Sequence, residues 1–209
     1  MLVYSAIIAA LAAYLLGNLN GAVCVSAIVA HDDVRSHGSG NAGLTNFIRN
    51  YGAGKALYVI LIDGGKAIIS CLNAGLMLEP FGYQMEGMML GGVCVILGHI
   101  FPALLGFRGG KGILSGFAVA LAIDWRVAAI LLAVFALAYL TTGYVSLGSI
   151  LGAAMFAVGF CIFHHSEPLV MSGGICIGVL AILMHHGNIV RLVKGQERKT
   201  NLFKKAPKQ

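Results

Sequence analysis

Charge is scarce in this chain. Only 11% of its 209 residues are Asp, Glu, Lys or Arg, against about 25% in an ordinary soluble domain, while 58% are apolar and the mean hydropathy is +0.87. These figures exclude a soluble globular enzyme, a disordered chain and a basic nucleic-acid-binding protein, so no nucleic acid is expected as a partner. The chain also lacks HExxH, GxSxG and CxxC, and no metal-ligand spacing occurs. Its five cysteines, Cys24, Cys71, Cys94, Cys161 and Cys176, lie inside apolar runs and read as small apolar residues. No Lys or Arg precedes the first apolar run, so that run reads as a retained helix rather than a cleaved leader. Neither metal nor organic cofactor is implied.

What is abundant is apolar length and glycine. One helical span needs about 20 apolar residues. Apolar runs fall at residues 3–30, 56–78, 88–105, 113–123, 127–141, 145–163 and 169–185. The expected fold is therefore an all-α polytopic membrane protein with about seven transmembrane helices, in a single domain spanning 1–209. The run at 113–123 is short for a crossing. Of the 14 Lys and Arg residues, only Arg126 lies on one side of this arrangement and Lys66 within a span; all the rest lie on the other. The positive-inside rule then puts the N-terminus outside and the C-terminus in the cytoplasm. The short basic tail, 198–209, would also be attracted to anionic lipid. Part of the 29 glycines serves close helix packing, because small residues let membrane helices approach.

Three polar segments share the cytoplasmic face. The first runs from Arg35 to Arg49 and contains Gly38, Ser39, Gly40, Asn41, Gly43, Thr45 and Asn46. Glycine lets backbone N–H groups converge on an anion, and Arg offers a fork matched to phosphate or carboxylate; the plainer reading is a flexible loop with a helix cap at Thr45 or Asn46. The second carries Arg108, Gly109, Gly110, Lys111 and Gly112 before a helical run, an arrangement suited to phosphate but not a Walker A loop; alternatively these are topology charges in a turn. The third follows the last span, with His185, Asn188 and Arg191 one turn apart and Glu197 beyond. An interfacial helix with snorkelling cations is the simpler alternative. Glu197 is expected to pair with a cation and organise the segment.

Some polar residues lie within the spans. Asp63 and Lys66, three apart, are expected to face the bundle interior and each other, as a structural pair or a substrate contact. Gly17-Asn-Leu-Asn-Gly21 reads as helix–helix glue. His99 either pairs with a neighbouring helix or serves the site. His164 and His165, beside Glu167, read as solvated rather than metal-binding.

Together the three segments resemble the bacterial integral-membrane acyl-phosphate:glycerol-3-phosphate acyltransferases. That family's Gly-Ser-Gly-Asn-x-Gly-Ala-Thr-Asn-x-x-Arg stands here as Gly38 to Arg49, its Gly-His-x-Phe-Pro as Gly98 to Pro102, its Gly-Gly-Lys-Gly as Gly109 to Gly112, and its His-x-x-Asn-Ile-x-Arg-Leu-x-x-Gly-x-Glu as His185 to Glu197. Leu44 replaces the usual Ala, Asn20 a common Pro, His186 a common Arg, and Ile113-Leu114-Ser115 a frequent Val-Ala-Thr. The His-x4-Asp signature of the acyl-CoA-dependent enzymes is absent.

The resemblance implies transfer of a fatty acyl group from acyl phosphate to the sn-1 hydroxyl of glycerol 3-phosphate, giving lysophosphatidic acid and phosphate for phospholipid biosynthesis. Both substrates and the bilayer are the implied partners. The place would be the bacterial inner membrane, with the site on its cytoplasmic side. The implied catalytic residues are Ser39, Arg49, Lys111, His185 and Asn188. Gly38, Gly40, Asn41, Gly43, Thr45, Asn46, Arg108, Gly109, Gly110, Gly112, Arg191 and Glu197 would bind substrate. His185 or the substrate's own phosphate would take the proton. A transporter for phosphate or an organic anion is the alternative, favoured by Asp63, Lys66 and the short fourth span.

Overall fold

The apolar run that opens the chain does not continue as one helix. In the computed structural model, which describes residues 1–200, α1 (Leu2–Gly17) stops and α2 (Gly21–Ala30) restarts. Asn20 makes the restart: its side-chain oxygen accepts from the Val23 amide at 3.0 Å, a helix N-cap. The break leaves the Gly17 and Leu19 carbonyls without helical donors, which is costly in an apolar setting. The Lys66 ammonium donates to both, at 3.1 and 2.5 Å, and the Gly21 amide donates to Asp63 at 3.0 Å. Lys66 and Asp63 in turn pair at 2.9 Å, both buried. The intramembrane ion pair therefore splices a broken helix.

After the first polar segment come α3 (Leu44–Tyr51) and α4 (Ala56–Leu78), then α5 (Gln84–Ile100). α3 is short and two-faced. Phe47 is fully buried in a cluster with Val25, Val34 and Val59, and Leu44, Ile48 and Tyr51 pack against it, while Thr45 and Arg49 look toward a cavity. α1 and α5 cross backbone to backbone. A Cβ on Gly17 would come within 2.8 Å of Gly98 Cα, and one on Gly98 within 2.9 Å of Gly17 Cα, the close approach that small residues permit.

The second half holds α6 (Ile113–Ile123), α7 (Trp125–Thr142), α8 (Val145–Phe163), α9 (Pro168–Met184) and α10 (His186–Val193). Phe156, Phe160, Val119, Val127 and Ile177 form the core between them. Around the outside, Leu61, Leu76, Leu140, Ile162 and Leu183 are exposed, as a lipid-facing surface requires.

Among the described residues, five helical segments are long and apolar enough to cross a membrane, or six if α9 and α10, bent by 55°, form one broken span. The expected span at 113–123 is not among these: its 11 residues rise about 16 Å, against a hydrocarbon core of about 30 Å. α6 nevertheless runs from Gly112 to Asp124, where Asp124 caps α7 through the Arg126 amide at 2.9 Å and meets His164, past the far end of α8, at 3.2 Å. The solvated reading of His164 is corrected. The ring is buried, stacked on Phe160 and paired with Glu167 at 2.9 Å, because the α6–α7 and α8–α9 turns close over it; His165 alone is exposed. The tail beyond Thr200 lies outside the described residues.

Candidate active site

Asn46 organises the first polar segment. Its amide nitrogen lies 3.0–3.1 Å from the carbonyls of Val34, His37 and Asn41, which share its two N–H groups, and its oxygen accepts from the Ser39 amide at 3.0 Å. A buried side chain so engaged folds the loop and has no N–H left for a substrate. The cap of α3 is Gly43, not Thr45 or Asn46. Gly38 has φ +62°, a left-handed conformation that favours glycine, and a Cβ there would strike Asn46. Two cross-links tie this loop to its surroundings. Asn20 donates to the Ala42 carbonyl at 2.9 Å. Arg35, paired with Asp33 at 2.8 Å, donates to the Leu105 carbonyl at 2.9 Å.

In the second segment the Gly109 and Gly110 amides are engaged within the turn itself. Gly109 donates to the Ile100 carbonyl at 3.2 Å and Gly110 to the His99 carbonyl at 3.1 Å. Glycine is required there by space: a Cβ on Gly109 would sit 2.7 Å from the Ile100 carbonyl oxygen, and one on Gly110 2.9 Å from that of Ala42. Arg108 is exposed and lines no part of the cavity. Lys111 is the group this turn delivers. Its ammonium donates to the side-chain oxygen of Asn188.

The third segment begins where the chain bends between α9 and α10. There the His185 Nδ1 lies 2.7 Å from the Ala181 carbonyl. A carbonyl only accepts, so Nδ1 carries the proton and Nε2 of the neutral ring is an acceptor. Asn188 donates to one oxygen of Glu197 at 2.8 Å and Arg191 to the other at 2.7 Å. Lys111, Asn188, Glu197 and Arg191 thus form one chain of hydrogen bonds joining the second and third segments. Arg49 reaches the tail instead: its Nε donates to the Thr200 hydroxyl at 2.9 Å, and Thr200 is anchored by Tyr139 and by the Gly143 carbonyl.

These groups enclose a cavity of about 410 Å³. Ser39, Asn41, Gly43, Thr45, Asn46, Arg49, Lys111, Gly112, His185, Asn188, Arg191 and Glu197 line its polar end. A second cavity of about 330 Å³, sharing Ser39, Asn41, Arg49, Lys111, Asn188, Arg191 and Glu197, adds Gly38 and Arg198. The other end is an apolar arm between α6, α7, α8 and α9, walled by Phe117, Leu131, Leu132, Phe135, Phe156 and Ile177 and floored by Gly148, Ser149, Gly152 and Ala153. Of the residues singled out from sequence, Gly40, Arg108, Gly109 and Gly110 line neither cavity. Asp63, which the sequence offered as a structural pair or a substrate contact, lines the cavity as well as pairing with Lys66; sequence reasoning missed Arg198, the apolar arm and the tail contact of Thr200 on Arg49. The spacing of small residues along α8 is the one signal that marked the arm.

Electrostatics at the polar end follow from crowding. Burial, together with the Arg191 and Arg49 guanidinium groups, lowers the Lys111 ammonium pKa to about 8. Burial pushes the Glu197 carboxyl upward, but hydrogen bonds from Asn188 and Arg191 outweigh it and hold the group below its ordinary range. The polar end is therefore strongly electropositive and adjoins an apolar arm, a shape matched to an anionic headgroup on an acyl tail.

Comparison with known proteins agrees with this geometry. The family model described as glycerol-3-phosphate acyltransferase matches residues 7–195. The glycerol-3-phosphate acyltransferase of Finegoldia magna is 36% identical over 193 residues, covering 92% of this chain and 95% of that one. That of Clostridioides difficile is 36% identical over 205 residues, covering 95% and 97%. The crystal structure of PlsY (YgiH), an integral membrane glycerol 3-phosphate acyltransferase, superposes in its glycerol 3-phosphate form with a TM-score of 0.85 at 32% identity, covering 94% of this chain and 96% of that one. Its lysophosphatidic acid form gives 0.81 at 31%, covering 95% and 96%. Motifs, cavity, sequence relatives and fold converge: the chain is an enzyme of the glycerol-3-phosphate acyltransferase family.

Proposed function

We propose that the chain transfers a fatty acyl group from acyl phosphate to the sn-1 hydroxyl of glycerol 3-phosphate. The observation that carries this reading is the continuity of one cavity, electropositive at Arg49, Lys111 and Arg191 and apolar along Phe117, Leu131 and Phe156. Such a site seats an acyl tail in the arm and two phosphates at the mouth. The amides that begin α3 and α6 have no intrahelical acceptors, and both helix starts line the cavity, adding positive potential.

Acyl phosphate is a mixed anhydride and needs no covalent enzyme intermediate. The glycerol hydroxyl oxygen attacks the acyl carbon, forming the ester C–O bond through a tetrahedral oxyanion. The bond from the acyl carbon to the phosphate oxygen then breaks, and the departing phosphate takes up the hydroxyl proton. Lys111 holds the glycerol-phosphate anion. Arg49 and Ser39 hold the donor phosphate and the oxyanion, Arg49 exchanging Thr200 for substrate. His185 Nε2 and Asn188 orient the attacking hydroxyl. Catalysis is thus positioning and charge stabilisation. Glu197 fixes Asn188 and Arg191 rather than touching substrate, and Asn46, Gly109 and Gly110 act by shaping their loops.

The same geometry supports the finer topology. α4, α5, α6, α7, α8 and α9 each run between the cavity end and the end marked by Asp124, so with the broken first helix the chain makes seven traverses as one domain, α6 crossing where neighbours replace lipid. Arg35, Arg49, Lys55, Arg108, Lys111 and Arg191 gather at the cavity end and Arg126 at the other, a distribution that supports a cavity on the cytoplasmic face of a bacterial inner membrane with the N-terminus outside.

The test is donor and acceptor dependence. Purified protein given acyl phosphate releases orthophosphate only when glycerol 3-phosphate is present, one per lysophosphatidic acid formed. Release without acceptor, or transfer from an acyl thioester alone, contradicts the proposal. A pH dependence follows from Lys111. Its ammonium is charged below about pH 8 and neutral above, so affinity for the anionic acceptor is retained at pH 7 and lost as pH rises through 8. The KM for glycerol 3-phosphate is expected to be about tenfold higher at pH 9 than at pH 7, and K111R removes that alkaline rise because Arg stays charged.

A further inference from the structure

His99 stands between the buried ion pair and the Gly109–Gly110 turn, and none of the chemistry above uses it. The ring is buried, 4% exposed. Its Nδ1 lies 2.9 Å from the Lys66 ammonium and 3.5 Å from Asp63. An ammonium has no lone pair and only donates, so Nδ1 accepts from Lys66. The proton then sits on Nε2, and the Nε2 edge is the one that abuts Gly110, closely enough that any Cβ there would collide with it. The other side of Gly110 is closed by the Ala42 carbonyl, itself held by Asn20 at 2.9 Å. The turn is thus clamped between a ring whose orientation the ion pair sets and a carbonyl of the first polar segment.

We infer that His99 is a positioning residue: held by Lys66, it seats the Gly109–Gly110 turn and so aims the Lys111 ammonium into the cavity. The inference rests on the reading of Lys111 as the group that holds glycerol 3-phosphate. Lys111 leaves the backbone one residue after Gly110, and its long side chain magnifies any rotation of the turn. A misplacement of about 1 Å at a reacting centre can lower the rate about 10²-fold. The effect should reach the acceptor and spare the donor, whose acyl arm lies between other helices.

H99L is the informative variant. Lys66 keeps three acceptors, Gly17, Leu19 and Asp63, for its three N–H groups, so the buried pair remains satisfied and the protein should fold. The purified full chain is expected to show a KM for glycerol 3-phosphate raised at least tenfold. The KM for acyl phosphate should stay within twofold and the thermal midpoint within a few degrees. G110A, whose Cβ would meet both the ring and the Ala42 carbonyl, should raise the same constant. A merely structural role would lower the active fraction and leave both KM values alone. That outcome, or an equal rise in both KM values, overturns the inference. K111A, measured alongside, separates the two layers. If K111A leaves acceptor binding intact, the reading of Lys111 fails and takes this inference with it; if K111A weakens it and H99L does not, only the role of His99 falls.

Discussion

Replacing Lys111 with Ala is expected to lower kcat/KM about 10²–10³-fold while the protein stays in the membrane fraction with an unchanged thermal midpoint. The magnitude is that of losing one preorganised charge at a reacting anion. It is large here because Lys111 is buried against Asn188 rather than solvated, and water cannot replace it. Folding is spared because the turn that carries Lys111 is held by the backbone bonds of Gly109 and Gly110 and by the Arg35 contact to Leu105, not by the ammonium. K111R should recover part of the loss: the charge is retained, but a planar fork cannot sit where a compact ammonium donates to Asn188. Steady-state kinetics in detergent checks both variants, and a K111A enzyme within threefold of the parent would remove Lys111 from the chemistry.

Lys66→Met is expected to act chiefly on stability, with the KM for glycerol 3-phosphate rising as well because His99 loses its donor. Both side chains of the Lys66–Asp63 pair are almost wholly buried, and removing one partner strands the other charge, at a cost of about 3–5 kcal/mol. The Gly17 and Leu19 carbonyls at the helix break lose their donor as well. For a chain of this length that corresponds to a fall of about 10 °C or more in the unfolding midpoint. The double variant D63N/K66M should lie closer to the parent than K66M alone, since no unpaired charge remains. A K66M midpoint within two degrees of the parent would show that the pair does not splice the first helix.

How legible this molecule is from sequence depends on whether a feature lives in residue identity or in close approach. The three polar segments are visible as departures from an apolar background, and the structure brings them to one cavity. The pairing of Asp63 with Lys66 and of Glu197 with a cation could be read directly, since an isolated charge in that setting is untenable. The break at Asn20 could not, because an Asn inside an apolar run reads equally as helix glue; only the cap on Val23 and the contact with Ala42 show it ending one helix and positioning the site. The glycines misled in a consistent way. Gly109 and Gly110 look like anion ligands, yet their amides are spent on Ile100 and His99, and their missing side chains are what matters. Arg108 and His164 went astray for a related reason. Whether a cation faces a cavity or water, and whether an imidazole is covered, is decided by neighbouring turns, which a linear reading does not contain.

The decisive experiment is a structure of the protein with glycerol 3-phosphate bound. The phosphate is expected within hydrogen-bond reach of Lys111 at the polar end of the cavity, the sn-1 hydroxyl directed at His185 Nε2, and the apolar arm between α7 and α8 left open for the acyl chain. Glycerol 3-phosphate seated away from Lys111, or bound on the Asp124 side of the molecule, would contradict the proposed function.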